Sequence, residues 1–380
     1  MHADYVEVVD RAVHGGLPLG QIADLAIRLA ASGNRLDLAQ ADTADIASTG
    51  GPTSLSTLLC PPMLVAIGRR VPKLGVPGRP AGGVDVLGTI PGYRTALDVV
   101  AAEQVLAMCN YVHIDAGASF APADAALFRY RQQVGAQAVP DLAIASLLSK
   151  KIAVGVKRVG LEVRVADHGN FGSDFAEARQ ASRKFCDVAR ILGMDAVCVL
   201  TDASRPFQPF VGRGEALLAF KLVLDGEEND WLAEHLDVCT TMVSTIGGAV
   251  EVDRRAMSSA AIRNIEAQGG SERRFREYAN EIARRHGRPL IAEAAGYVRY
   301  DLGKLRNAVI QAQGASAGYA DDAGVILKVR AGDRVEPKEE LLSVRCPEAA
   351  RLTFEAALRS AIEIDATPTG SPAAMEFVHV

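Results

Sequence analysis

Short apolar segments that alternate with helical segments dominate the middle of the chain. Residues 112–115, 161–165 and 196–200 have the composition of buried β-strands. Between them, apolar residues recur at helical spacing over residues 122–137, 140–154 and 173–192. Alternation of this kind predicts an α/β fold, in which helices cover a mostly parallel sheet.

The interval between the first two strands breaks this alternation, because it contains two consecutive helices and no strand. Residues 5–13 and 19–31, at the start of the chain, also carry apolar residues at helical spacing. We therefore expect the chain to return to its N-terminal helices, so that one helical domain is built from two separate segments.

The last part of the chain follows a third pattern. Residues 324–330 and 340–344 alternate between apolar and polar side chains, and Gly332-Asp333 between them is a turn signal. A helix is predicted over residues 347–364. This combination indicates a small C-terminal α+β module.

Length and charge limit the class of protein. A chain of 380 residues is long enough for two or three domains. Its net charge of −5 argues against a nucleic-acid binder, which usually carries a basic surface. No apolar run is long enough to cross a membrane, and residues 1–7 do not read as a secretory signal. We expect a cytoplasmic protein with no membrane or nucleic-acid partner.

The cysteines do not suggest a metal or redox site. They are scattered along the chain without a close pair, which is typical of buried thiols in a reducing compartment. No acidic pair reads as a metal site either, so we expect no metal and no cofactor. The six cysteines are Cys60, Cys109, Cys186, Cys198, Cys239 and Cys346.

A glycine- and hydroxyl-rich stretch, residues 48–57, lies between a predicted strand end and a predicted helix. Glycines permit close approach of the backbone to a ligand, and hydroxyls and free N–H groups at a helix start hold anions. We predict a phosphate-binding site here, although an ordinary capped turn has the same composition. The candidate residues are Ser48, Thr49, Gly50, Gly51 and Thr57.

A second glycine-rich segment covers residues 75–85 and contains Arg79. Its glycines again suggest a backbone near a ligand, and Arg79 is a candidate partner for an anion. A surface loop stiffened by prolines is the alternative interpretation.

Ser146 and Lys150 are four residues apart in a strong helical pattern, so they lie on one face of the helix. Arg131 belongs to the preceding helix and is within reach across a short connection. Together these side chains can bind a flat, oxygen-rich ring and stabilise negative charge on it. Alternatively, Lys150 simply extends to water.

Polar residues also follow two of the predicted strands: Asp115 follows one, and Asp167 and His168 follow another. Ligands of parallel α/β proteins bind at the carboxyl ends of strands. His168 is therefore a candidate catalytic residue that moves a proton near neutral pH, with a solvated loop histidine as the alternative.

In combination, these segments resemble the thymidine and pyrimidine-nucleoside phosphorylases over nearly the whole chain. The first loop is similar to the Ser-Thr-Gly-Gly segment of that family, and residues 82–85 and 90–93 are similar to its Gly-Gly-Thr-Leu-Asp and Ile-Pro-Gly-Phe motifs. Residues 121–124 match a family segment directly, as do Arg131, Ser146 and Lys150 at the family's spacing.

The resemblance implies three structural units. These are a helical dimerisation domain of residues 1–40 and 120–154, an α/β domain of residues 41–119 and 155–290 that binds phosphate and sugar, and a C-terminal α+β module of residues 291–380. It also implies a homodimer and an enzyme that transfers a pentosyl group from a pyrimidine to phosphate. The pyrimidine lies against Arg131, Ser146 and Lys150, and closure of the cleft joins the two halves of the site.

The chain departs from the family where the family binds phosphate. Family members carry Lys-His directly before the Ser-Thr-Gly-Gly segment, and here these positions are Ile46 and Ala47. Gly75 and Gly83 replace a phosphate-binding Ser and Thr, and Phe128 replaces an aromatic hydroxyl on the base side. We therefore expect a pocket that has kept its base-binding residues and lost the cations of its anion side.

Three functions agree with this pattern. The first is a pyrimidine-nucleoside phosphorylase-like pentosyltransferase whose use of phosphate is altered or weakened, with phosphate, another anion or water as the attacking group. The second is a non-catalytic homologue that binds pyrimidines or nucleosides. The third is a nucleoside hydrolase or a phosphoribosyltransferase.

Overall fold

The computed structural model describes residues 3–38, 40–117, 119–167, 169, 171–248, 250–313, 319–368 and 375–379. Helices and strands alternate through its middle part, as the sequence predicts. The helices of the first half are α1 (Ala3–Gly15), α2 (Leu19–Ala30), α3 (Ser56–Ala66), α4 (Gly83–Gly88), α5 (Val99–Cys109), α6 (Pro122–Gln133) and α7 (Pro140–Ala153). Those of the second half are α8 (Phe175–Ile191), α9 (Arg213–Asp225), α10 (Asp230–Gly247), α11 (Arg254–Ala267), α12 (Glu272–Arg285), α13 (Leu302–Gln313) and α14 (Arg351–Ser360).

The strands of the described residues fall into a set of six before residue 212 and a set of seven after residue 287. The first set is β1 (Ala44–Ser48), β2 (Val71–Gly75), β3 (Tyr111–Asp115), β4 (Arg158–Val165), β5 (Asp195–Asp202) and β6 (Phe210–Val211). The second set is β7 (Arg288–Ile291), β8 (Gly296–Tyr300), β9 (Gly324–Leu327), β10 (Arg334–Val335), β11 (Glu340–Arg345), β12 (Ile362–Asp365) and β13 (Met375–His379).

Two parallel sets of strands form the centre of the molecule. β1 pairs with β4 and β4 pairs with β5, all in parallel, and β2 pairs in parallel with β3. A parallel bridge between Thr43 and Arg70 places β2 beside β1. The strands therefore run side by side in the order β5, β4, β1, β2, β3, and the predicted mostly parallel α/β fold is confirmed.

The N-terminal helices pack against the later helical pair. α2 has a stripe of fully buried side chains that includes Ile22, Leu25 and Leu29, and it contacts both α6 and α7. Such a stripe recurs every three or four residues, so one helix face enters the core. Two distant segments thus form one helical layer. The same layer also contacts α8, and its core is continuous with the core around the sheet.

The tail contains its own apolar core beneath two small antiparallel sheets, in the orders β10–β8–β12 and β6–β9–β11–β7. The helix predicted over residues 347–364 is too long. It ends at Ser360, and Ile362–Asp365 form β12, which pairs with β8. Antiparallel pairing with β8 thus takes the place of another helical turn.

Strand pairings cross the predicted boundary of the C-terminal module, residues 291–380. Its last strand, β13, leaves the module and pairs antiparallel with β5 of the central sheet. Conversely, β6 and the first residues of β7 lie before residue 291 and join the sheet of the module. The predicted domain boundaries stay predictions.

Two further features bear on the class of protein. Within the described ranges, no helix combines the length and the apolarity that crossing a lipid bilayer requires. The six cysteines are free thiols and five of them are buried, as their scattered positions predict.

Candidate functional site

A cavity of about 440 Å³ opens where β1, β2 and β3 end, opposite helices α6 and α7. The carboxyl ends of parallel strands meet at one edge of a sheet, which is where ligands of such folds bind. His168 lies outside the described residues. The structure brings ten of the other candidate residues together on the cavity wall: Ser48, Thr49, Gly50, Gly51, Thr57, Arg79, Phe128, Arg131, Ser146 and Lys150.

On the helical wall, Lys150 is buried and does not extend to water. Its Nζ donates to Oδ2 of Asp124 at 2.6 Å, to the Ser146 carbonyl at 2.5 Å and to Ser146 Oγ at 3.0 Å. Burial lowers the pKa of Lys150, and Asp124 opposes that shift. The helical spacing of Ser146 and Lys150 therefore produces a desolvated ammonium at the cavity.

Asp124 contacts the candidate site through Lys150, and the sequence did not single it out, although residues 121–124 match a family segment. It is buried on α6, and its second carboxylate oxygen, Oδ1, has no hydrogen-bond partner among the described residues. A carboxylate on α6 thus holds the ammonium that α7 presents.

Arg131 forms the neighbouring part of the same wall. Its guanidinium donates to the carbonyls of Gln137 at 2.7 Å, Ala136 at 3.2 Å and Leu142 at 3.3 Å. Burial lowers the pKa of Arg131 to about 10. Arg131 therefore fixes the connection between α6 and α7 and adds positive charge beside Lys150.

The first glycine-rich loop forms the opposite wall. Gly50 has φ +94°, which favours glycine, and its N–H donates to Ser48 Oγ at 3.2 Å. Thr49 ties the loop to β4 by donating to the Glu162 carbonyl at 2.9 Å. A Cβ on Gly51 would lie 3.1 Å from the guanidinium of buried Arg164. The predicted strand-to-helix turn is therefore present, and a side chain at position 51 would contact Arg164 tightly where the loop passes over it.

The second glycine-rich segment is held against the first. The N–H of Gly83 donates to Thr57 Oγ1 at 3.2 Å, and buried Asp85 accepts from the N–H groups of Gly78 at 2.7 Å and Arg79 at 3.1 Å. The Arg79 guanidinium lies 5.2 Å from the centre of the Phe128 ring. This segment is thus part of the cavity wall rather than a loop remote from it.

The cavity contains more cations than the sequence predicted. Lys73 and Lys151 line it, and they share the buried carboxylate of Asp45. The distance from Lys73 Nζ to Asp45 Oδ1 is 2.6 Å, and Lys151 contacts the other oxygen. The expectation that the anion side has lost its cations is therefore wrong. β1 carries Ile46 and Ala47 where the resemblance implies Lys-His, and β2 places Lys73 at the cavity.

His113 is a second residue that the sequence did not single out. It lies on β3, is buried, and lines the cavity. Its Nδ1 is 2.9 Å from the Tyr111 hydroxyl. Burial lowers the pKa of His113 well below the usual value, and the charge of Lys73 adds to that effect. The imidazole is therefore neutral at physiological pH.

The two acidic candidates separate. Asp167 lines the cavity, whereas Asp115 accepts a hydrogen bond from Thr95 Oγ1 at 3.2 Å and is not on the wall. No three His, Cys, Asp or Glu side chains are grouped as a metal site in the described part of the chain.

Comparison with known proteins identifies several phosphorylases among the relatives of this chain. AMP phosphorylase of Thermofilum pendens is 28% identical over 356 residues, which cover 90% of this chain and 67% of that protein. Thymidine phosphorylase of Burkholderia lata is 27% identical over 324 residues, covering 80% and 74%. Pyrimidine-nucleoside phosphorylase of Geobacillus stearothermophilus is 22% identical over 378 residues, covering 94% and 87%. No protein-family model matches the chain.

Among solved structures, the chain is similar to anthranilate phosphoribosyltransferase from Thermus thermophilus. The TM-score is 0.49 at 16% identity, and the match covers 73% of this chain and 94% of that one. This likeness is too weak to bear on the reaction.

These three relatives are named as phosphorylases of AMP, thymidine and pyrimidine nucleosides, and each aligns with most of the chain, which confirms the resemblance that the motifs predicted. The protein is a divergent relative of the thymidine and pyrimidine-nucleoside phosphorylases.

Proposed function

We propose that the protein is a pentosyltransferase of the pyrimidine-nucleoside phosphorylase type, with altered use of phosphate. The observation that carries this proposal is a single cavity with two chemically different walls. The helical wall presents Arg131, Ser146 and Lys150, and the opposite wall presents glycine-rich backbone and hydroxyl groups. A cavity that binds a pyrimidine nucleoside together with an anion requires one wall for the base and another for the anion.

The helical wall suits the departing base. When the bond between pyrimidine and sugar breaks, negative charge develops on the ring oxygens of the pyrimidine. Lys150 and Arg131 are buried cations, and they stabilise this charge more in the transition state than in the substrate. Their desolvation strengthens the effect, because little water screens the cavity wall.

The opposite wall suits the attacking group, which we propose to be phosphate, another anion or water. Ser48, Thr49 and Thr57 supply hydroxyls, and Arg79 supplies charge at the second loop. Ile46 and Ala47 replace the Lys-His of the family, so the affinity for phosphate is expected to differ from that of the relatives.

We also propose that the protein forms a homodimer through its helical layer, as the resemblance implies. Exposed apolar side chains on α1 and α2 support this assignment: Val6, Val13 and Ile27 are 40%, 48% and 44% exposed.

The proposed reaction is tested by incubating the pure protein with thymidine, uridine or cytidine, with and without phosphate, and measuring free base by chromatography. We expect base release that depends on Lys150. Lys150→Met should reduce the rate by about tenfold or more, since hydrogen bonds to charged groups contribute about 1.5–3 kcal/mol. Lys221→Met, which removes a lysine paired with Asp225 on α9, is the matched control. Absence of base release under every condition would contradict the proposal, and binding without turnover would favour a non-catalytic homologue.

A further inference from the structure

Lys73 and His113 are neighbours across two parallel strands. The register of β2 and β3 pairs Lys73 with His113 directly. Residues paired in this way project from the same face of the sheet, on strands about 4.8 Å apart. Both side chains are nearly fully buried, at 3% and 1% exposure, and both line the cavity. The chain thus brings a lysine and a histidine together at the cavity although they are far apart in sequence.

The lysines at this end of the cavity carry more charge than the protein neutralises. Asp45 is fully buried and accepts from both Lys73 and Lys151, so one carboxylate serves two ammonium groups. Within the described ranges, neither lysine forms an ion pair with a second carboxylate. Buried charge is costly unless it is paired, and an anionic ligand would complete the pairing.

Lys73 is held at the first glycine-rich loop. Its Nζ donates to the carbonyl of Ile46 at 2.5 Å, two residues before Ser48. The side chain of Ile46 does not line the cavity, and its Cγ1 is 2.8 Å from the place that a Cβ on Gly160 would occupy. Position 46 therefore contributes to the core in this chain, and the nearest cation comes from β2.

The ring edge of His113 faces the second glycine-rich segment. A Cβ on Gly75 would lie 3.1 Å from His113 Nε2, and a Cβ on Gly83 would lie 2.6 Å from His113 Cε1. When the Tyr111 hydroxyl donates to Nδ1, the ring proton is on Nε2. A neutral imidazole with that tautomer donates a hydrogen bond from Nε2 between the two glycines.

We propose that Lys73 and His113 form the anion subsite of this cavity and supply the cation and the imidazole that Ile46 and Ala47 do not. The ligand is a tetrahedral phosphoryl oxyanion, either inorganic phosphate or the phosphate of a nucleotide. Lys73 provides charge, His113 provides a directional donor, and the glycines allow close approach. The role of this anion as the attacking group rests on the proposed function, whereas its binding does not.

Titration calorimetry on the full chain tests the subsite without turnover, with inorganic phosphate in one arm and uridine 5′-monophosphate in the other. We expect wild-type protein to bind in at least one arm. Lys73→Met should bind at least about tenfold more weakly, the loss expected for a charged hydrogen bond. His113→Gln should bind more weakly than wild type, and Lys221→Met should bind like wild type. Loss in the phosphate arm identifies the free ion as the ligand, and loss in the nucleotide arm alone identifies the phosphoester.

The Lys73→Met variant is expected to fold, because Asp45 and Lys151 remain as a balanced pair; thermal unfolding checks this. A purely structural Lys73 would change the unfolding temperature and leave the affinity of the folded protein unchanged, which would overturn the proposal. Failure of wild-type protein to bind in either arm would overturn it too. Base release without phosphate would then still support pentosyl transfer, so the two proposals fail separately.

Discussion

At the scale of single residues, the helical wall and the first glycine-rich loop of the cavity could be predicted, whereas the pairing of Lys73 with His113 could not. Ser146 and Lys150 lie four residues apart on α7, and helical periodicity alone places them on one face. Lys73 and His113 meet only because β2 and β3 pair in a particular register. Neither strand encodes that register by itself: residues 112–115 of β3 were predicted only as a short apolar strand, and β2 was not among the predicted strands.

The contact between Asp124 and Lys150 leads to a prediction about the pH dependence of base release. Asp124 raises the pKa of Lys150 against the effect of burial. Asp124→Asn removes this opposition, so Lys150 should lose its proton at lower pH. We expect the alkaline decline of kcat/KM to begin at a lower pH than in the wild type. The maximum value of kcat/KM should fall by about tenfold or more.

This prediction is checked by a pH–rate profile of the Asp124→Asn variant beside wild type. Asp10→Asn, on an exposed part of α1, is the control and should leave the profile unchanged. If the activity of the Asp124→Asn variant declines at the same alkaline pH as that of the wild type, the carboxylate does not act through Lys150.

At the scale of elements, the two glycine-rich segments depend on close packing. A Cβ on Gly83 would lie 2.6 Å from the carbonyl oxygen of Thr57 and 2.6 Å from the His113 ring. Gly83→Ala should therefore displace the second segment and lower the free energy of unfolding by about 1–3 kcal/mol, the usual cost of overpacking. Phosphate binding should weaken in parallel.

Denaturant unfolding measures the loss of stability in Gly83→Ala, with Gly20→Ala as the matched control. Gly20 lies within α2, and a Cβ there meets no atom within 4 Å. Alanine at that position should leave stability unchanged or raise it by up to about 1 kcal/mol. Equal stability of the Gly83→Ala and wild-type proteins would mean that the second glycine-rich segment accommodates the added methyl group without loss of stability.

A buried ion pair connects α9 with β11 of the tail. Arg345 donates to Glu215 Oε1 at 2.6 Å and Oε2 at 2.9 Å, and to Asp321 Oδ1 at 2.7 Å. Burial alone raises the pKa of Glu215, but Arg345 and His286 lower it from 4.5 to about 2. The unfolded chain therefore binds more protons between pH 4.5 and pH 2. The contribution of Glu215 to stability should be complete above pH 4.5 and lost as the pH falls to about 2.

The corresponding variant is Glu215→Gln, followed by urea unfolding at several pH values. Removing one partner of a buried pair should cost about 3–5 kcal/mol at neutral pH and reduce the loss of stability in acid. Glu277→Gln removes an exposed pair with Arg273 and should cost less than about 1 kcal/mol. A Glu215→Gln protein as stable as wild type would contradict this account of the connection.

At the scale of the whole molecule, the sequence predicted the layers better than the connections between them. The alternation of strands and helices gave the parallel sheet, and two consecutive helices indicated the return to the N-terminal layer. The position of β13 could not be predicted, because a five-residue strand pairs with β5 through backbone groups that every sequence carries. The predicted end of the helix at residue 364 was wrong for a similar reason. Residues 362–365 pair with β8, and this pairing overrides the local helical spacing.

The proposed dimer is tested by sedimentation. We expect wild-type protein to sediment with twice the mass of one chain. Ile27→Asp places a charge on the exposed apolar face of α2 and should shift the equilibrium toward the monomer. Val100→Asp, on exposed α5 away from the helical layer, should not. A wild-type monomer at micromolar concentration would rule out the proposed assembly.

The proposed activity requires one cavity that holds a pyrimidine on its helical wall and an anion on the opposite wall. A crystal structure of the protein soaked with uracil and phosphate tests this arrangement most directly. We predict uracil density against Arg131, Ser146 and Lys150, and phosphate density within hydrogen-bond distance of Lys73. A cavity that stays empty at saturating ligand, or uracil bound elsewhere, would contradict the placement of base and anion on the two walls of this cavity.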